Sequence, residues 1–155
     1  MSRWQIRIAV LLAAGVVMGQ VPVEASPKTA AAVLETLAVK GRAPKTGYER
    51  SQFGPAWSDV DHNGCDTRND ILYRDLTAIE FKAGTNDCVV VSGILVDPYS
   101  GEKISFVRGV GSSMEVQIDH VVALSNAWQT GAFKLSYDKR LAFANDPMNL
   151  LAVKG

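Results

Sequence analysis

Two histidines occur in the chain. One of them, His120, follows a carboxylate at the end of a strand-like run, Val116-Gln117-Ile118-Asp119-His120. Imidazole titrates near neutral pH and accepts a proton there. A carboxylate is a hard oxygen ligand for a divalent cation such as Mg²⁺. Side by side, the two suit metal-assisted hydrolysis: a water gives up a proton while a cation offsets charge on the reacting oxygens. The plain alternative is a strand end at which Asp119 hydrogen-bonds the imidazole and does nothing more.

A second constellation is Asp59-Val-Asp-His-Asn-Gly-Cys-Asp-Thr-Arg-Asn-Asp70. Asp59, Asp61 and Asn63 take the first, third and fifth places of a twelve-residue calcium loop, glycine the sixth, and Asp70 the twelfth, where glutamate is usual. No good helix precedes Asp59, and Cys65-Asp66 breaks the pattern after the glycine. A polar turn is the other reading, with His62 a solvated turn residue in it. Arg68 and Arg140 are candidates for bidentate phosphate contacts, and ion pairing to nearby acids is the competing role for each and for Arg108. Trp57 and Trp128 read as core residues. Gly109-Val-Gly111 lacks the helix a phosphate loop needs, and no serine stands in a nucleophile elbow.

These residues need elements to hold them. Helix formers with Val33, Leu34 and Leu37 at helical spacing predict a helix over residues 31–39, ended by Gly41. Residues 48–66 read as irregular. A helix over 67–76 is expected, capped by Asp66 or Thr67, with Ile71, Leu72 and Leu76 on its buried face. Strands are expected over 78–81, 87–96 and 102–107, with Asp97-Pro-Tyr-Ser-Gly101 as a hairpin turn. The strand 116–119, helices over 123–129 and 137–145, and a returning strand 148–153 complete the pattern. The second of those helices starts after Ser136 and stops before Asp146-Pro147. The fold class is α+β: a small mixed sheet with helices around it.

At 155 residues, 47% apolar and 21% charged, the chain suits one folded domain and not a disordered segment. Its formal net charge is zero, so no basic excess marks a nucleic-acid binder. The N-terminus carries Arg3 and Arg7, then the short apolar run Ile8–Gly19, then Val23-Glu24-Ala25. That order indicates a secretory signal peptide over residues 1–25, cut after Ala25, rather than a membrane span. Residues 26–47 are a tail and helix, and 48–155 the main domain. Export permits a disulfide between Cys65 and Cys88; two unpaired buried thiols are the alternative.

One set of ordered blocks is more specific than any single motif. It comprises Phe53-Gly-Pro-Ala-Trp57, Asn63-Gly-Cys-Asp-Thr-Arg-Asn-Asp70, Phe106-Val-Arg-Gly-Val110, Gln117-Ile-Asp-His-Val-Val-Ala-Leu124 and Arg140-Leu-Ala-Phe-Ala-Asn-Asp-Pro-Met-Asn-Leu-Leu151. Together they resemble the secreted HNH endonuclease family proteins, ββα-metal nucleases related to the C-terminal nuclease domain of GmrSD-type restriction enzymes. The resemblance covers nearly all of residues 45–155. It implies an exported, metal-dependent endonuclease that hydrolyses phosphodiester bonds in nucleic acid, with DNA ahead of RNA. It further implies His120 as general base and Asp119 as metal ligand. Asn149 would bridge the loop backbone and orient the imidazole, although after Pro147 it also reads as a turn asparagine. Mg²⁺ is the expected metal, with Mn²⁺, Zn²⁺ and Ca²⁺ open. In such nucleases a helix after the second strand carries a further ligand, asparagine or histidine. The sequence stops at Gly155, so the expectation is a truncated form with an incomplete ββα element. The competing expectation is a catalytically inactive secreted fragment acting as a binding or structural module, calcium-stabilised if the loop at Asp59 binds.

Overall fold

The computed structural model describes residues 29–155. The expected signal peptide lies outside them. Two compact units are distinguished, one ending at Val39 and one spanning Lys40–Gly155. The first carries α1 (Ala30–Leu34), whose N-cap Thr29 accepts the Ala32 N–H. This helix stops short of the expected residue 39. None of its residues is buried, and so short a helix has little to hold it beyond its cap.

The second unit opens with a 3-10 turn, Arg50–Phe53, and then α2 (Thr67–Asp75). Asp66 caps α2 by accepting the Asn69 N–H, as its type and position suggest. Three antiparallel strands follow as a meander: β1 (Leu76–Phe81), β2 (Val90–Val96) and β3 (Lys103–Val107). Alternation along β3 sends Ile104 and Phe106 inward and Lys103, Ser105 and Val107 outward. Asp97 closes the β2–β3 turn by accepting from the backbone and hydroxyl of Ser100.

A second, two-stranded antiparallel sheet pairs β4 (Val116–His120) with β5 (Leu150–Lys154), His120 standing opposite Leu150. Between them lie α3 (Leu124–Thr130) and α4 (Tyr137–Ala144), the latter capped by Ser136. The α+β class holds, with the strands divided between two antiparallel sheets in place of one mixed sheet. The physical reason sits on β5. Its outer edge, away from β4, is met by side chains instead of another strand: Asp75 accepts the Ala152 N–H, Asp97 accepts the Lys154 N–H, and Arg74 donates to the Leu150 carbonyl. Those groups are satisfied without pairing.

One core joins both sheets through α2: Ile71, Leu72 and Leu76 pack with Leu95, Phe106, Ile118 and Leu150 among others. A second core gathers Phe53, Leu124, Ala127, Trp128, Ala132 and Ala144. Cys65 and Cys88 form the expected disulfide, joining the segment before α2 to the segment before β2. Among the described residues β4 and β5 form a two-stranded antiparallel sheet, and the ββα element that the resemblance implies is not formed.

Candidate active site

His120 is the last residue of β4 and faces inward, while its neighbour Asp119 faces solvent. Strand alternation sends adjacent side chains to opposite faces. The imidazole therefore does not hydrogen-bond Asp119. Its Nε2 lies 2.9 Å from the Ala144 carbonyl at the end of α4. A carbonyl only accepts, so this nitrogen carries the proton and the neutral ring keeps its lone pair on Nδ1. Burial pushes the imidazole below its ordinary value; the bond to Ala144 opposes this, the charge of Arg50 adds to it, and Asp119 pulls the other way. The resulting neutral ring is the form that accepts a proton.

The ring borders a cavity of about 220 Å³. Its opposite wall is the segment that runs from the 3-10 turn to Trp57, contributing Arg50, Phe53, Pro55 and Trp57; Leu124, Ala144 and Asn145 close it. The Trp57 indole stacks on His120, with ring centres 6.3 Å apart and planes 15° from parallel. Trp57 holds a left-handed backbone conformation, φ 61°, a strained state for a bulky residue. Gly54 lets the segment pass α4: with φ 86°, it takes a conformation that suits glycine, and a Cβ there would lie 2.5 Å from Leu141 Cδ1.

Asn149 is buried where the chain enters β5. Its Oδ1 accepts the Val122 N–H at 2.7 Å and its Nδ2 donates to the Val122 carbonyl at 3.3 Å. The Val121 N–H also reaches the Asn149 carbonyl. The asparagine thus brackets the turn that follows His120 from both sides.

The two candidate phosphate arginines are not at this cavity. Arg68 donates to the Val116 carbonyl, at the far end of β4 from His120. Burial and the neighbouring Arg108 make its charge less favourable, lowering its pKa. Arg140 donates to the Gln52 and Leu135 carbonyls and to Gln52 Oε1, and lies over the Trp128 ring. It fastens the cavity wall to α4. The arginine at the cavity is Arg50, which nothing in its sequence spacing singles out. Trp57, expected in the core, packs partly against it and also lines the cavity. A third residue that sequence reasoning missed is Tyr99, in the β2–β3 turn, whose hydroxyl donates to Asp119 at 3.1 Å; that bond raises the phenol's pKa.

Among the described residues no three His, Cys, Asp or Glu side chains converge so as to hold a metal. Asp119 supplies a single protein carboxylate. That donor set does not fit zinc, which takes three or four protein ligands. Mg²⁺ can bind through one or two carboxylates with waters and substrate phosphates, but Asp119 is a single carboxylate that does not line the His120 cavity. The loop considered for calcium folds as a polar turn. Asp59 accepts the Gly64 N–H, Asn63 donates to both Asp61 and Asp70, and Asn63 Oδ1 accepts the Cys65 N–H. Its oxygens are turned largely to one another's donors, although Asp59 Oδ1 is buried with no partner among the described residues. Burial raises the pKa of Asp70, and the charges of Asp61, Asp66 and Asp59 add to this against the bond from Asn63.

Residues 66–155 match the family of the C-terminal domain of GmrSD restriction endonucleases. A protein of Arthroderma benhamiae, described as an uncharacterized secreted protein, is 36% identical over 153 residues, covering 94% of this chain and 70% of its own length. No solved structure matches. The matched stretch takes in α2, both sheets and the ends of β4 and β5 that hold His120 and Asn149, so the chain belongs to the family of the GmrSD restriction endonuclease C-terminal domain.

Proposed function

We infer that this chain is an exported nuclease domain that hydrolyses phosphodiester bonds in nucleic acid, with DNA as the substrate the family name suggests. The observation that supports it is the setting of His120: an imidazole fixed by Ala144, stacked on Trp57 and opening on a cavity that also holds Arg50. In this reading His120 takes a proton from a water whose oxygen forms a bond to phosphorus. The bond from phosphorus to the leaving sugar oxygen breaks, and that oxygen collects a proton from solvent. Asn149 holds the turn after His120 and thereby the imidazole. By the family reading Asp119 would hold Mg²⁺, which when bound would offset negative charge on the phosphate and the leaving oxygen; in the free chain its carboxylate faces away from the His120 cavity and is held by Tyr99. The secreted relative, the disulfide and the N-terminal sequence pattern support export.

The test is nicking of supercoiled plasmid with Mg²⁺ or Mn²⁺, wild type beside His120→Ala. The expected loss in the variant is about 10²–10⁴-fold, the usual worth of general-base help. Equal nicking by both proteins removes His120 from the mechanism. A secreted module without catalysis is the second reading, favoured by the separation of Asp119 from His120 on opposite faces of β4. Folded wild-type protein that never nicks the plasmid decides for it.

A further inference from the structure

Arginine use around the cavity is uneven. Arg68, Arg74, Arg108 and Arg140 each donate to backbone carbonyls at hydrogen-bonding distance. Arg50 has no hydrogen bond or ion pair among the described residues, yet it lines the cavity that His120 borders. Its five N–H donors are therefore unspent among the described residues. The backbone that carries it is held in place: the Gln52 N–H bonds the Glu49 carbonyl, the Gly54 N–H bonds the Ser51 carbonyl, and Arg140 grips the Gln52 carbonyl from α4. The surrounding walls are mostly apolar, with Phe53, Pro55, Trp57 and Leu124. Arg50 itself is exposed, so an anion there would meet a charged donor at a partly solvated site.

We propose that Arg50 and the segment reaching to Trp57 form a subsite for a single phosphate group of nucleic acid, with Arg50 as its binding residue. The guanidinium fork matches the geometry of two phosphate oxygens. The cavity's 220 Å³ is below the roughly 300–1,000 Å³ of sites that enclose whole small molecules, so one phosphate with its sugar edge fits better than a nucleotide. The chain has no net charge, so recognition is local, through this cation, and not through a broad basic face. The subsite also lies outside the residues matched to the family, which begin at residue 66. The identity of the anion as a nucleic-acid phosphate rests on the nuclease reading; the subsite itself does not.

The experiment is a titration of the full chain with inorganic phosphate at neutral pH with chelator present, followed by tryptophan fluorescence and by the amide and indole NMR signals of residues 50–57. Wild type is expected to show saturable changes centred on Trp57. Arg50→Gln should weaken the binding about tenfold or more, the ordinary worth of charged hydrogen bonds, and Arg50→Lys, which keeps the charge but not the fork, should fall between wild type and Arg50→Gln. Matching thermal melts establish that the variants fold. The proposal is overturned if wild type gives no saturable change, or if Arg50→Gln binds as wild type does. Because the titration needs no turnover, it separates the two readings. Wild type that binds phosphate but never nicks plasmid keeps the subsite and sinks the nuclease reading. Wild type that nicks, with phosphate binding indifferent to Arg50, does the reverse.

Discussion

At the scale of single residues the arrangement depends on Asn149. One amide satisfies both the N–H and the carbonyl of Val122, in a turn that is itself exposed. A hydrogen bond of this kind contributes about 0.5–1.5 kcal/mol. Asn149→Ala is therefore expected to lower the urea midpoint and, by loosening the turn after His120, to lower activity as well. Asn149→Asp keeps the acceptor for the Val122 N–H but sets a carboxylate oxygen against the Val122 carbonyl, so it should not rescue the loss. Equal urea midpoints for wild type and Asn149→Ala would show that the bracket contributes nothing. The sequence singles out Asn149 only through the ordered blocks; its partner Val122 lies in the turn after β4. Arg50 is not singled out at all: a lone arginine in an irregular stretch carries no spacing signal, and only folding sets it beside His120.

At the scale of elements, the informative feature is the outer edge of β5. Asp97 belongs to the β2–β3 turn, yet its Oδ1 accepts the Lys154 N–H of β5. The Ser100 hydroxyl most of all, then the Lys154 N–H, hold the Asp97 carboxyl below its ordinary 3.8. A carboxylate with a depressed folded value contributes stability that is fully present above the unfolded value and is lost as pH falls through the folded one. Asp97→Asn should therefore lower the melting temperature near neutral pH. The gap from wild type should narrow as pH falls below about 4, where the wild-type carboxylate itself takes up a proton. A gap that stays constant down to strongly acid pH would remove Asp97 as the link between the hairpin and β5. The turn itself was readable from Asp97-Pro-Tyr-Ser-Gly101; that its aspartate would also serve a strand far along the chain was not.

At the scale of the whole molecule, the disulfide binds loop to sheet. Cys65 and Cys88 are 23 residues apart and lie on either side of α2 and β1. Closing a loop of that length restricts the unfolded chain by about 3 kcal/mol on the chain-entropy account. The double variant Cys65→Ser, Cys88→Ser should show a lower denaturant midpoint, with a transition slope equal to or steeper than wild type because the unfolded chain without the cross-link exposes more surface. An unchanged midpoint would mean that the bond is dispensable to the fold. Of the two cores, one gathered by α2 and one by Phe53 with α3 and α4, the first reaches the His120 cavity only through Trp57, which packs against it. Phe53, Leu124 and Ala144 of the second core line it directly.

The sequence by itself determined what local chemistry can determine. Asp66 and Ser136 start helices because their side chains reach the N–H groups three residues on. Alternation marks β3 and β4, and the ordered blocks carry the family, with His120 and Asn149 among them. Tertiary structure decided what depends on distant partners. Alternation at the end of β4 parts Asp119 from His120, so the adjacent pair does not share one face. Tyr99 and Ala144, not each other, are their partners. Arg68 and Arg140 are drawn to backbone carbonyls that folding brings within reach, because a buried carbonyl needs a donor. Among the described residues Arg50 is left with its donors unspent beside the imidazole, since the segment that carries it is held against α4 by contacts that no local pattern encodes.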